Sequence, residues 1–529
     1  MRLRAPHEPA FLEQEHMRTS RLVSTATLAL TLGLTLPAQA ATYEINAGDN
    51  LWARLAMLAP GDEVIVHAGT YTQTSRFEAT WAGTAALPII VRAAEGEARP
   101  VMTRDSGQNL LNIHGSYFTL RGFEIIGGSH GIRASNIDHA VFEDLLMHDT
   151  GDVGISCNIG GASCSYVTIR DCEIHHTSGT GEGMYLGCND SACEFSNSVI
   201  EHNYVHDLGG SQGDGIEIKQ GSHSNIVRDN VIVRANFPGI TLYSYGDGAG
   251  RTQNIVERNL IWTTQDNGIQ VTGHAIVRNN VVIGAGASGI ASQPNMGTPT
   301  DVQFIHNTVV GAGDACIRAN SWDTGSGFVI ANNALYCEGA RAIRITTSTT
   351  AVIVGNVGLG SVEGAASGFR MGTSLAADLG TMTAMARVYP PTGSTLIDAA
   401  DATQTVSDDF DLRARTGMHD VGAYERDASG MPAWLAVEGF KSLGAVIPGT
   451  DAGPSTTDAG PVVTVDAGSI AGLDVGPVPD SGTVVRADAG AGAASGSCGC
   501  RAGQSGSRTG AFAMLALGLV IAARRKRAS

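Results

Sequence analysis

The chain has 529 residues, with Gly 68, 16% charged residues, 5% aromatic residues and a formal net charge of -17. Glycine is well above its usual ~7% and charge well below its usual ~25%, which implies many turns and few solvated helical faces. The acidic balance excludes a phosphate-backbone binder, so nucleic acid is not an expected partner; an acidic polysaccharide would need a bridging cation or a local basic site.

At the N-terminus, Arg18 and Arg21 precede an apolar stretch from Leu22 to Leu36, then Pro37 and Ala38-Gln39-Ala40. That order is the pattern of a secretory signal peptide, so residues 1–40 are expected to be removed and the chain exported. Asp49 and Asn50 stand before Leu51, Trp52, Leu55 and Leu58. They predict a capped amphipathic turn over the open end of a core.

The body, residues 41–426, reads as one repeated unit. Segments of the form apolar-x-x-Asn-x-apolar recur around Asn203, Asn230, Asn259 and Asn280; Asn307, Asn333 and Asn356 continue the column, and Cys172, Leu145 and Phe123 extend it backwards. A second mark is a short strand opening with Gly and an aliphatic residue, as at Gly154-Ile155, Gly183-Met184, Gly215-Ile216, Gly239-Ile240 and Gly268-Ile269. Short β-rich runs with period-2 alternation between Gly, Asn and Asp turns are strands. Units this short cannot close a core alone, so they stack. The Asn column resembles the asparagine ladder of right-handed parallel β-helix proteins of the pectate lyase-like fold. That resemblance implies an all-β, single-stranded right-handed parallel β-helix solenoid of about ten coils with an N-terminal helical cap.

Cysteines of an exported chain are expected to pair. Cys157 with Cys164 and Cys188 with Cys193 would each close a short loop, Cys316 with Cys337 would join adjacent coils, and Cys172 is left as a buried thiol.

If Ile216 and Ile218 point inward, Glu217 and Lys219 point outward, with Tyr185 in the coil before and Thr241 and Tyr243 in the coil after. Glu182 and Asp214 hold matching positions just before their strands. Only three lysines occur in the chain, Lys219, Lys441 and Lys526. A lysine among so many arginines suggests a role arginine cannot fill, since lysine can give up a proton. The expected chemistry is a lyase acting on a uronic-acid polysaccharide by β-elimination, with Lys219 and Glu217 catalytic. Tyr185, Tyr243 and Arg234 are expected to contact substrate, and Glu182, Asp214 and Glu217 to hold Ca²⁺ against its carboxylate. The segments 181–187 and 213–219 resemble paired motifs of secreted β-helix proteins related to polysaccharide lyases, which implies the same calcium ligands and base. A glycoside hydrolase on the same face, or a non-catalytic glycan-binding adhesin, are the alternatives. His148, His175 and His206 share one column and Asp149, His176 and Asp207 the next; the imidazoles either stack or bind Zn²⁺.

Residues 427–497 repeat Asp-Ala-Gly among Pro, Ser and Thr and are expected to form a flexible acidic linker. In residues 498–529, Cys498 and Cys500 precede an apolar run from Gly510 to Ala523 and the basic Arg524-Arg525-Lys526-Arg527. The run is shorter than the ~20 residues that span a bilayer comfortably. It resembles the MYXO-CTERM sorting tail of myxobacteria, which implies processing near the cysteines and display on the cell surface, with membrane contact through this tail alone. The body is expected to be a monomer with a surface glycan as its partner.

Overall fold

The structure is a computed structural model that describes residues 40–246, 250–380 and 388–443. The segments expected to be a signal peptide, the remainder of the linker beyond 443 and a sorting tail with Cys498 and Cys500 lie outside the described residues.

Thirty-five strands pair in parallel with the strands of the coils before and after them, and the pairings run in three columns. The first holds the Gly–Ile strands, such as Met184–Leu186, Ile216–Ile218, Ile240–Leu242 and Ile269–Val271, in strict register. The second holds Val199–Glu201, Ile226–Arg228 and Asn254–Glu257. The third holds Glu173–His175, Tyr204–His206, Val231–Val233 and Leu260–Trp262. The fold is a right-handed parallel β-helix, the hand that parallel crossovers almost always take. Inward side chains fill its axis: Ile216, Ile218, Ile240, Leu242, Ile200, Val227, Val205 and Ile232 are all fully buried.

The ladder lies at the turn between the second and third columns. Each Asn side chain donates to the Asn one coil later, from Asn203 to Asn230 at 2.9 Å through Asn333 to Asn356 at 2.9 Å. It also donates to a carbonyl one coil earlier, as Asn259 does to Val227 at 2.9 Å, and its oxygen accepts a backbone N–H, as Asn259 does from Asn230 at 3.0 Å. The buried polar groups of the bend are thus paired without water. The ladder offsets a conformational cost, because the preceding residues His202, Asp229, Arg258, Asn279, His306 and Asn332 all have φ between 52° and 56°, a region L-residues avoid. A second ladder, from Ser198 through Asn225 to Asn254, turns the chain between the first and second columns; its sequence mark is too short to separate from chance.

At the N-terminal end the helix Leu51–Leu55 is capped by Asn50, whose side chain accepts from the Ala53 N–H. Leu51 and Leu55 are fully buried, and Trp81 donates its Nε1–H to the Leu55 carbonyl at 2.8 Å. Among the described residues the three disulfides are Cys157–Cys164, Cys188–Cys193 and Cys316–Cys337. Cys172 is a buried thiol whose pKa burial pushes up to about 12. Among the described residues no helix is long and apolar enough to cross a membrane.

The packed body does not end at 426. Residues 388–443 return over the outer face of the third column, where Phe410, Tyr424, Trp434 and Ala436 form a second core with Tyr204, Val231, Val233 and Leu260. Lys441 is buried and donates to Asp229 Oδ1 at 2.8 Å and to the Phe410 carbonyl at 2.7 Å. The start of the expected linker, residues 427–443, is therefore part of the folded body: its apolar side chains meet a sheet face that would otherwise be exposed.

Candidate active site

On the outer face of the first column, Tyr185, Glu217 and Thr241 stand in register in successive coils. Alternation turns them outward because their neighbours fill the core. Lys219 follows two residues after Glu217, and Tyr243 is held beside it by a bond from its N–H to the Ile218 carbonyl. The ammonium of Lys219 donates to Glu217 Oε1 at 2.6 Å and lies 4.5 Å and 4.7 Å from the ring centroids of Tyr185 and Tyr243. Tyr243 donates its hydroxyl to the same Glu217 oxygen at 3.0 Å, and Thr241 donates to Asp214 Oδ1 at 2.5 Å. The Thr180 hydroxyl lies between Glu182 Oε2 and Asp152 Oδ1, the latter at 2.7 Å, and its single proton serves one of the two carboxyls at a time.

The expected cluster is therefore assembled, but it is not a solvated face. Glu182, Asp214, Glu217 and Lys219 are 0–4% exposed, with the rings of Tyr185 and Tyr243 against the ammonium. Burial of charge without partners is costly, and it shifts the buried acids toward their neutral forms. Asp214 is pushed well above the ordinary carboxyl range, first by burial and then by the charge of Glu217. Glu182 moves the same way, mainly through burial. Burial alone would lower the pKa of Lys219, but the carboxylate of Glu217 outweighs it and the net shift is upward. Lys219 is thus held as an ammonium, the opposite of the lowered pKa that a lysine base requires.

Asp214, Glu217, Thr241 and Tyr243 open on a cleft of about 320 Å³, completed by Gln212, Phe237, Pro238, Asp266, Gln270, Gln293, Pro294 and Asn295. Glu217 Oε2 and Glu182 Oε1 are buried with no hydrogen-bond partner. Thr241 points outward as the sequence predicts, whereas Thr180 and Gln270 are not singled out by the sequence; their signal is a polar residue at an outward position on or beside strands flanking a charged coil.

Calcium takes 6–8 oxygen ligands at 2.3–2.6 Å. The carboxyls of Glu182, Asp214 and Glu217 do not converge in that way: among the described residues, only Glu173, His175 and His206 bring three ligand atoms within 4.8 Å of one another. Glu217 already has an ammonium for its counter-ion. As placed, the three acids do not form a calcium site.

Arg234 is not brought to this cleft. It lies in the column of Asp149, His176 and Asp207 at the end of the third sheet, and pairs with Asp207 and Glu438 at 2.5 Å each. The period-2 argument that placed the tyrosines does not apply to a residue at a left-handed corner. The histidine column is in place: His175 stacks on His148 at 4.9 Å and on His206 at 4.8 Å between ring centroids. Burial, then its imidazole neighbours, pushes His175 down to about 4.

The family model described as the right handed beta helix region matches residues 104–250 and 249–335. No curated protein matches the chain. Among solved structures, XylC in complex with xylose is 11% identical, with 73% of this chain and 98% of that chain covered and a TM-score of 0.52. The pectate lyase Pel9A is 17% identical, with 73% and 96% covered and a TM-score of 0.45. The A-module of the Azotobacter vinelandii mannuronan C-5 epimerase AlgE4 is 16% identical, with 59% and 89% covered and a TM-score of 0.40. The family match and the XylC likeness agree with the coil geometry, and together they establish the right-handed β-helix fold.

Proposed function

We propose that this protein is a polysaccharide-active enzyme that cleaves a glycosidic bond in the cleft at Asp214 and Glu217. One observation carries the reading: two carboxyls line one cleft in different surroundings, Asp214 buried with its pKa pushed well above the ordinary carboxyl range and Glu217 in contact with the Lys219 ammonium at 2.6 Å. Two carboxyls whose environments differ in this way can divide the acid and base roles.

In β-elimination next to a uronic acid, the Glu217 carboxylate takes the C5 proton. The C5–H electrons form the C4=C5 double bond, the C4–O4 bond breaks and the Asp214 proton passes to O4. Lys219 acts through Glu217 as a positioning residue: when Glu217 becomes neutral, the ammonium behind it offsets the negative charge that has moved onto the substrate. A buried cation has no such use in a simple hydrolase, and this favours elimination. The second reading is hydrolysis with the same two carboxyls. It is favoured by the cleft lining, which among the described residues includes Gln212, Gln270, Gln293 and Asn295 but no lysine or arginine.

The test incubates the purified full-length chain with pectate, alginate and glycosaminoglycans, with and without Ca²⁺, following both the ultraviolet absorbance of unsaturated uronates and new reducing ends. Elimination gives both signals, each lost in Asp214→Asn and Glu217→Gln. Reducing ends without absorbance would select hydrolysis. Neither signal on any polymer would leave glycan binding or adhesion as the function.

A further inference from the structure

We propose that Glu173, His175 and His206, on the outer face of the third sheet and away from the cleft, form a binding site for a borderline divalent transition-metal ion such as Zn²⁺. The three side chains come from two adjacent coils, Glu173 and His175 from one strand and His206 from the strand paired with it. One ligand atom from each lies within 4.8 Å of the other two, and among the described residues no other His, Cys, Asp and Glu side chains converge in this way.

The second layer of contacts prepares the histidines as ligands. His206 Nδ1 is 2.8 Å from Asp207 Oδ2, and Asp207 is fixed by Arg234 through bonds of 2.5 Å and 2.9 Å. A carboxylate on Nδ1 orients the ring and, by accepting the proton there, leaves Nε2 to face a metal. That Nε2 faces Glu173 Oε1 at 3.1 Å.

His175 is arranged the same way. Its Nδ1 meets His176 Nδ1 at 2.5 Å, so Nε2 is again the outward nitrogen. In the coil before, His148 Nε2 pairs with Glu124 at 3.1 Å. The residue diagonal to His175 is Leu146, which is in register with Glu173 and offers no acceptor. The Nε2 of His175 thus makes no hydrogen bond among the described residues.

A plain stack of exterior imidazoles would not need this asymmetry. The ring planes of His175 and His206 are tilted by 24°, whereas those of His148 and His175 are parallel within 1°. The tilted pair is the one that shares Glu173. A tetrahedral ion at about 2.0–2.2 Å from each donor requires the ligand atoms to close by roughly 1 Å, within reach of half-buried side chains on a sheet surface. Two neutral nitrogens and one carboxylate suit zinc and its neighbours and disfavour calcium, which takes oxygen ligands. Three protein ligands leave a fourth position for water or an external ligand.

The experiment titrates the full-length chain, stripped of metal with a chelator, with Zn²⁺ by calorimetry and with Co²⁺ by visible absorption. The expected result is a site of one ion per chain with tetrahedral Co²⁺ bands. Affinity should fall about 10-fold or more in His206→Gln and in Glu173→Gln, while His148→Gln, which removes a ring from the stack but leaves the ligand set intact, changes it less than about threefold. Glu173 is partly exposed, so its variant tests the site even where a histidine change lowers the melting temperature. Asp207→Asn should weaken binding by about 10-fold, the low end of the loss typical of a supporting group. An absence of Zn²⁺ binding by the wild-type chain, or binding and Co²⁺ bands unchanged in Glu173→Gln and His206→Gln, would overturn the assignment.

Discussion

Lys219 Nζ lies 2.6 Å from Glu217 Oε1, two residues back along the same strand, and the side chains are 4% and 2% exposed. A buried ion pair is weak evidence for stability, since desolvation consumes most of the Coulomb gain, but breaking one side of it strands a charge. Lys219→Met is therefore expected to destabilise the chain by about 3–5 kcal/mol, and Lys219→Met/Glu217→Gln to recover most of the loss. Denaturant unfolding of the wild type, both single variants and the double variant closes the cycle. Additive losses would show that the two groups are not coupled.

The Asn ladder makes an equally local prediction. Asn259 is fully buried; its side chain donates to Val227 and Asn280 and accepts from the N–H and Nδ2 of Asn230. Asn259→Ala leaves several of these groups unpaired at ~1–3 kcal/mol each. A loss of about 3 kcal/mol or more is expected in chemical denaturation, with the effect confined to the coils of Asn230 and Asn280 in hydrogen exchange. A loss below 1 kcal/mol would mean that water or a neighbouring coil replaces the ladder.

Much of this architecture is legible in the residues. The ladder shows because one polar residue recurs between apolar neighbours, and a buried polar residue at a bend must be paired with its equivalent. The outward acids and tyrosines show because alternation has only two faces. The closing of the site does not show, since it depends on ring placement across coils and on loop paths. Counting lysines finds Lys219, but the direction of its pKa shift turns on a 2.6 Å contact. The covered third sheet did leave a trace: Val231-Ile232-Val233 is a continuous apolar run, which marks a strand buried on both faces. Trp434 and Ala436, in a stretch read as linker, are what covers it.

Stability should depend on pH through Asp409. Burial raises its pKa from 3.8 to about 6. A carboxyl with a raised folded-state pKa contributes stability that is complete below its unfolded pKa and is lost as pH rises through the folded value. The window is thus pH about 4 to about 6, and the size is on the order of 3 kcal/mol. Asp409→Asn should flatten the stability profile across that window relative to the wild type. Parallel profiles from pH 4 to 7 would show that Asp409 titrates normally.

Catalysis should depend on pH through Asp214. Asp214 acts as an acid only while it holds its proton, and burial and Glu217 hold its pKa well above the ordinary carboxyl range. Activity is therefore expected to fall on the alkaline side as Asp214 ionises. Asp214→Asn keeps the bond from Thr241 but carries no acidic proton, so kcat should drop about 10²–10⁴-fold and the alkaline limb should vanish. Glu217→Gln, which removes the proposed base, should lower kcat by a similar factor. Lys219→Arg, which keeps the charge behind Glu217, should retain more activity than Lys219→Met, since Lys219 supplies charge and position rather than a proton. Profiles of kcat against pH for the wild type and these variants, on whichever polymer is cleaved, decide the assignment: an Asp214→Asn enzyme with the wild-type kcat and an intact alkaline limb would take the acid role away from Asp214.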